Sequence, residues 1–144
     1  MSMSSENPII KVGVGVVIVQ DGKTLLTKRK GSHAAKHYGS LGGHLEFGET
    51  PVEAVKREAR EELGIEVDHI EFVSCTSLKK EGKQYIDISF TARIASGEPA
   101  IMEPDRIESL GWYDLDALPA PLFEPVAVVL EALKTGKRYF EVRA

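Results

Sequence analysis

The chain has 144 residues, 42% of them hydrophobic and 28% charged, which suits one globular domain with a single core and leaves two domains cramped. Its 22 acidic and 18 basic residues give a formal net charge of -4, excluding an overall field that would gather nucleic acid or an anionic membrane surface. One cysteine, Cys75, excludes an intrachain disulfide; with no signal-like opening and no apolar run longer than Val14 to Val19, the expected setting is the reduced cytoplasm, off the membrane.

Residues 1–8 are polar and read as a frayed N-terminus, leaving residues 9–144 as a single domain. Lys11 to Val19 is rich in valine and isoleucine, Gln20 to Lys23 carries a turn signal, and Thr24 to Lys30 resumes with apolar residues, so a hairpin is expected. The following "GSHAAKHYGS" reads as irregular chain ending at the pair Gly42-Gly43. A helix is expected from Pro51 to Leu63. Two strands follow, Val67 to Leu78 and Gln84 to Ile94, around a turn at Lys79 to Gly82. In the second strand Ile86, Ile88, Phe90 and Ala92 alternate with Tyr85, Asp87, Ser89 and Thr91, giving a core face and a polar face. Glu108 to Asp114 reads as a short strand and Glu124 to Lys134 as a closing helix, with Val126, Val129, Leu130 and Leu133 on one side. Strands separated by two helices make an α+β chain with a mixed sheet packed between helices.

The first helix carries an unusual load. Thr50 is a good N-cap, Pro51 suits the first helical position, Glu53 completes a capping box and Gly64 supplies the stop. At about 100° per residue, Val52, Val55, Ala59 and Leu63 form an apolar stripe, and Glu58, Glu61 and Glu62 lie directly beside it. Two readings stay open. The glutamates form a solvated face paired with Lys56, Arg57 and Arg60, or they surround a divalent ion that offsets carboxylates crowded at the core edge. Oxygen-only ligands suit Mg²⁺, with Mn²⁺ as a substitute, rather than zinc. His33, His37 and His69 share no spacing and are assigned no metal.

From Gly43, "GHLEFGETPVEAVKREAREELGI" resembles the Nudix box, whose specified positions are filled by Gly43, Glu49, Arg57, Glu58, Ala59, Glu61, Glu62, Gly64 and Ile65. The chain more loosely resembles small MutT-type nucleotide pyrophosphatases of the Nudix hydrolase family. That resemblance implies the Nudix fold, an α/β/α sandwich around a mixed sheet, and hydrolysis of a nucleoside diphosphate linkage by water with Mg²⁺. It makes Glu58 and Glu62 metal ligands, Glu61 a further ligand or the activator of water, and the Gly43 carbonyl another ligand. Arg57 and Glu49 become an ion pair orienting Glu58, and the identity of the general base stays open. A further catalytic glutamate is expected before a late strand, Glu103 first and Glu108 second. Arg29 is the candidate phosphate clamp, since a guanidinium grips phosphate bidentately, with Lys28 and Lys30 facing solvent. His44 is a candidate phosphate contact or simply a packed polar side chain.

Leu122 and Phe123 occupy the place where such proteins contact the base, or form a plain hydrophobic helix entry. Phe123 can stack on a base but cannot read its donors and acceptors, so the expected base preference is broad. Three departures from the pattern stand out: small Ala59 in an aliphatic slot, Leu41 where a proline is usual and Tyr38 where tryptophan is frequent. The implied activity is Mg²⁺-dependent cleavage of a nucleoside triphosphate to monophosphate and pyrophosphate, in nucleotide-pool sanitation. Alternatives are an ADP-ribose or other nucleotide-sugar pyrophosphatase, and a non-catalytic domain that senses a nucleotide. The expected partner is a small-molecule nucleotide, not nucleic acid or membrane, and a homodimer is common among such proteins.

Overall fold

The computed structural model describes residues 8–31 and 35–143; residues 1–7 of the segment 1–8 expected to be frayed, and His33, lie outside the described residues. Ten elements follow in order: β1 (Lys11–Gln20), β2 (Lys23–Arg29), β3 (Tyr38–Gly39), β4 (Leu41–His44), α1 (Pro51–Leu63), β5 (Glu66–Lys80), β6 (Lys83–Ser96), β7 (Ile107–Asp114), α2 (Glu124–Thr135) and β8 (Tyr139–Arg143). The strands make one mixed sheet in the order β3-β2-β1-β6-β5-β8, with β4 also on β1 and β7 on β2. β1 pairs parallel with β6, and β5 parallel with β8. Both expected hairpins close through two residues of positive φ, Asp21-Gly22 and Glu81-Gly82, whose twist matches that of the flanking strands.

One helix covers each face. Val14, Val16 and Ile18 of β1 point to α1 and join Leu25, Leu41, Val55, Ala59, Leu63 and Phe90; Val17 points the other way, with Leu26 and Val73, to Val126, Val129 and Ala132 of α2. The chain is therefore an α/β/α sandwich built on a mixed sheet.

Four expectations need correction. The segment expected to be irregular contains β3, and β4 follows directly, pairing Leu41 to His44 with Val16 to Gly13. Strands of two and four residues, half of them glycine, show no alternation, so only their partners on β1 and β2 define them. β8 closes the far edge of the sheet beyond α2 and was not expected, although Tyr139, Phe140 and Val142 carry strand propensity. The buried stripe of α1 is also rotated: Val52 is 39% exposed, while Ala54, Glu58 and Glu62 lie on the buried side. In α2, likewise, Ala132 is buried and Leu133 exposed.

Candidate active site and metal centre

The site forms where α1 meets the glycine pair of β4. Gly42 and Gly43 lie on the strand bridging to Gly15 and Val14 of β1. A Cβ on Gly42 would collide with the Val14 carbonyl, and one on Gly43 with the Glu58 carboxylate. Only glycine lets this backbone come so close. Above it, α1 is fixed at its start by a full capping box, with the Glu53 N–H donating to Thr50 Oγ1 at 3.1 Å and the Thr50 N–H to Glu53 Oε1 at 2.8 Å. Gly64 ends it in the left-handed region.

Glu58 and Glu62, one turn apart on α1, are 9% and 8% exposed. Burial pushes the Glu62 carboxyl up to about 9, aided by a hydrogen bond with Glu58 and by that neighbour's charge, against a weaker hydrogen bond from the Gly42 N–H at 3.4 Å. A Glu62 carboxyl kept neutral by burial beside Glu58 marks a place where a cation would stabilise the ionised form instead. The charge of Glu103 also reaches Glu62. Its loop is laced to the end of α1, the Met102 N–H donating to the Glu62 carbonyl at 3.1 Å and the Ala100 N–H to that of Leu63 at 3.0 Å.

Arg57 organises the rim. Its Nε and Nη2 donate to the two oxygens of Glu49 at 3.0 and 2.7 Å, Nη1 donates to Glu58 Oε2 at 3.0 Å and Glu61 Oε1 at 3.2 Å, and Nη2 also reaches the His44 carbonyl at 3.1 Å. The hydrogen bonds to Glu49, with the charge of Glu58, raise the guanidinium's pKa further, and the same bond holds Glu49 below its usual range. The expected Arg57–Glu49 pair is thus present in bidentate form and continues to Glu58. Glu61 is half exposed. Arg60 turns away to Glu66, at 2.6 Å.

Among the described residues no three His, Cys, Asp or Glu side chains converge as a metal-holding group, and Glu58 and Glu61 are both held by Arg57. The chemistry of the donors nonetheless suits a hard divalent ion: the two buried carboxyl groups of Glu58 and Glu62, the Gly43 backbone beside them, and Glu61 and Glu103 at the margin offer oxygen only.

Arg29, at the end of β2, is half-buried; burial lowers its pKa while the charge of Glu62 opposes the fall and that of Arg106 adds to it. Its guanidinium lies 4.4 Å over the Phe123 ring at the start of α2. Arg29 and Phe123 therefore meet beside Glu62. Leu122 bridges to Tyr38 and packs into the α2-side core, so it serves the helix entry. The structure separates Glu103 from Glu108, which is held by Lys28 at 3.5 Å and Lys36 at 3.4 Å. Lys28 is accordingly not a solvent-facing cation, since it is half-buried and lies near the Tyr38 ring. The His44 ring stacks on Tyr85, centroids 5.9 Å apart, and only its carbonyl joins the Arg57 network. Departures at Leu41 and Tyr38 are absorbed by packing: Leu41 is buried and Tyr38 meets Tyr113 edge-on.

Sequence reasoning missed Arg106 and Asp87. Arg106 stands between Glu103, 3.7 Å away, and Arg29, and its only signal is the charged "EPDR" of the loop. Asp87 lies on the strand face expected to be polar, yet burial raises its carboxyl pKa.

This fold and site define a Nudix protein, and comparison with known proteins agrees. The NUDIX domain model matches residues 10–133, and the chain belongs to that family. A MutT NUDIX hydrolase from Burkholderia pseudomallei superposes with a TM-score of 0.82 at 38% identity, covering 87% of this chain and 98% of that one. An ADP-ribose pyrophosphatase from Streptococcus suis shares the fold at a TM-score of 0.64 and 22% identity, covering 94% and 99%. The NAD-capped RNA hydrolase NudC of Pseudomonas aeruginosa is 35% identical over 104 residues, 72% of this chain and 36% of that protein. The chain spans 36% to 44% of the length of such curated relatives. The hydrolases of this family act on phosphoanhydride bonds and generally use divalent metal ions. No helix among the described residues is long and apolar enough to cross a membrane.

Proposed function

We propose that the protein is a Mg²⁺-dependent pyrophosphohydrolase that cleaves a nucleoside triphosphate to the monophosphate and pyrophosphate, in nucleotide-pool sanitation. The observation that carries this reading is the buried Glu58–Glu62 pair against the Gly43 backbone, with half-buried Arg29 beside it. Glu58, Glu62 and the Gly43 carbonyl hold the ion, with Glu61 at the rim. Mn²⁺ is an acceptable substitute on the same oxygens. When bound, the ion neutralises phosphate oxygens that would otherwise repel an incoming water. Arg29 clamps a phosphate with its guanidinium while Phe123 packs on its other side. Glu103 or Glu61 takes the proton of the attacking water, and Arg57, held by Glu49, keeps Glu58 aimed.

A second reading has a specific observation behind it. Relatives at 35% identity are NAD-capped RNA hydrolases, and hydrolysis of a nucleoside diphosphate joined to another moiety, such as ADP-ribose or a nucleotide sugar, would use the same carboxylates. One assay separates them: individual triphosphates, ADP-ribose and NAD are incubated with protein and Mg²⁺, and the products identified. Release of pyrophosphate from triphosphates, lost without the ion and in Glu62→Gln, is the expected result. Turnover of ADP-ribose or NAD alone would replace the first reading with the second, and undiminished turnover by Glu62→Gln would remove both.

A further inference from the structure

The face of the sheet opposite α1 carries a strip of bare backbone alongside the metal site. β1 reads valine and glycine alternately; Val14 and Val16 point to α1, so Gly13 and Gly15 point the other way. Gly42 of β4 lies directly opposite Gly15. Glycine inside a strand weakens it and marks a place where a ligand or another chain comes close. A Cβ on Gly15 would meet only the Leu41 carbonyl, at 3.7 Å, so the floor here is open.

Asp87 of β6 stands in register with Gly13, and its carboxylate leans over it so closely that a Cβ there would strike Oδ1. Burial pushes its carboxyl up, the neighbouring charge being His44, and no hydrogen bond to it is found among the described residues. Beside it the stacked His44 and Tyr85 rings form a flat aromatic wall. Half-buried and held by no protein donor among the described residues, the carboxylate keeps its acceptor lone pairs open to a donor from outside the protein. The strip also adjoins the metal centre: Gly42 donates to Glu62, and Gly43, the next residue, abuts Glu58.

Resting on the nucleotide reading above, we propose that Asp87 determines base specificity by accepting the paired N–H donors of guanine, whose ring lies over Gly15 and Gly42. A carboxylate accepts only, so it favours an edge with two adjacent donors. Guanine offers N1–H and the 2-amino group side by side and can meet the carboxylate bidentately, as a guanidinium does. Adenine and cytosine set a ring acceptor beside their amino group, and uracil flanks its N–H with two carbonyls. The 8-oxidised form of guanine keeps the same edge, so Asp87 selects guanine without distinguishing its oxidation. Asp87 thereby supplies the reading that Phe123 cannot.

The test compares GTP with ITP, which lacks only the 2-amino group, in the unmutated protein and in Asp87→Asn. A carboxylate hydrogen bond is worth roughly a 10- to 100-fold preference, so kcat/KM for GTP should exceed that for ITP by that factor. The ratio should fall to near one in Asp87→Asn, whose melting temperature is recorded as a control for folding. Equal GTP and ITP rates in the unmutated protein, or a ratio that survives in a folded Asp87→Asn, would overturn the proposal. Should no triphosphate be hydrolysed, the same comparison with GMP and IMP dissociation constants still decides it. An Asp87-dependent GMP preference would then support the base site while the proposed reaction fails.

Discussion

Arg57 shows how much one side chain does here. It is a fork that grips Glu49 bidentately and passes the constraint to Glu58, Glu61 and the His44 carbonyl. Lysine carries the charge but not the fork, so Arg57→Lys should keep the protein folded and lower kcat about 10- to 100-fold, as loss of a ligand-orienting partner does. Steady-state kinetics beside a melting curve check this; a kcat within twofold of the unmutated protein would show that the pair is merely structural. At this scale the sequence was most legible where chemistry restricts the residue type: Arg57 joins Glu49 to Glu58, Glu58 neighbours Glu62, and the charge of Glu62 reaches Arg29. It was least legible for Asp87, since alternation separates two faces of a strand without saying that the second is also half covered.

Among the elements, α1 was legible because its signals are local: Thr50 and Glu53 cap it and Gly64 stops it. Thr50→Ala removes the hydroxyl that accepts from the Glu53 N–H and should destabilise the fold by about 1 kcal/mol. In thermal melts that is a fall of about 3 °C; no fall would mean that the cap adds nothing to a helix already fixed by packing. The hairpins were legible for the same local reason, their two-residue turns carrying Gly22 and Gly82. β3, β4 and β8 were not, because each is defined by a partner distant in sequence: Thr27 for Gly39, Val16 for Leu41 and Cys75 for Tyr139. The rotation of the α1 stripe has a similar origin. Val52 outranks Ala54 in hydrophobicity, but Ala54 faces β4 and the sheet, and the same turn of the helix buries Glu58 and Glu62.

For the whole molecule the consequence is a coupling between pH, metal and stability. Glu62 rises from an ordinary 4.5 to about 9 in the folded chain. Below pH 4.5 it is protonated folded or unfolded; between those values folding takes up a proton, so the metal-free protein loses stability as pH rises, until Glu62 ionises in both states. Melting temperature without metal should therefore fall from pH 5 to pH 9, and saturating Mg²⁺ should flatten that fall by holding the ionised form. A metal-free curve flat over that range would mean that Glu62 is not buried as described.

The central claim, that Glu58 and Glu62 form a divalent-ion site closed by a proton when no metal is bound, is tested most directly by calorimetric titration of Mg²⁺ at pH 7 in two buffers of different ionisation enthalpy. Binding at millimolar or lower concentration, with release of about one proton per ion and loss of both in Glu62→Gln, is the predicted result. Absence of binding at about 10 mM, far above the range in which such a site should fill, or binding that releases no proton and persists in Glu62→Gln, would contradict it.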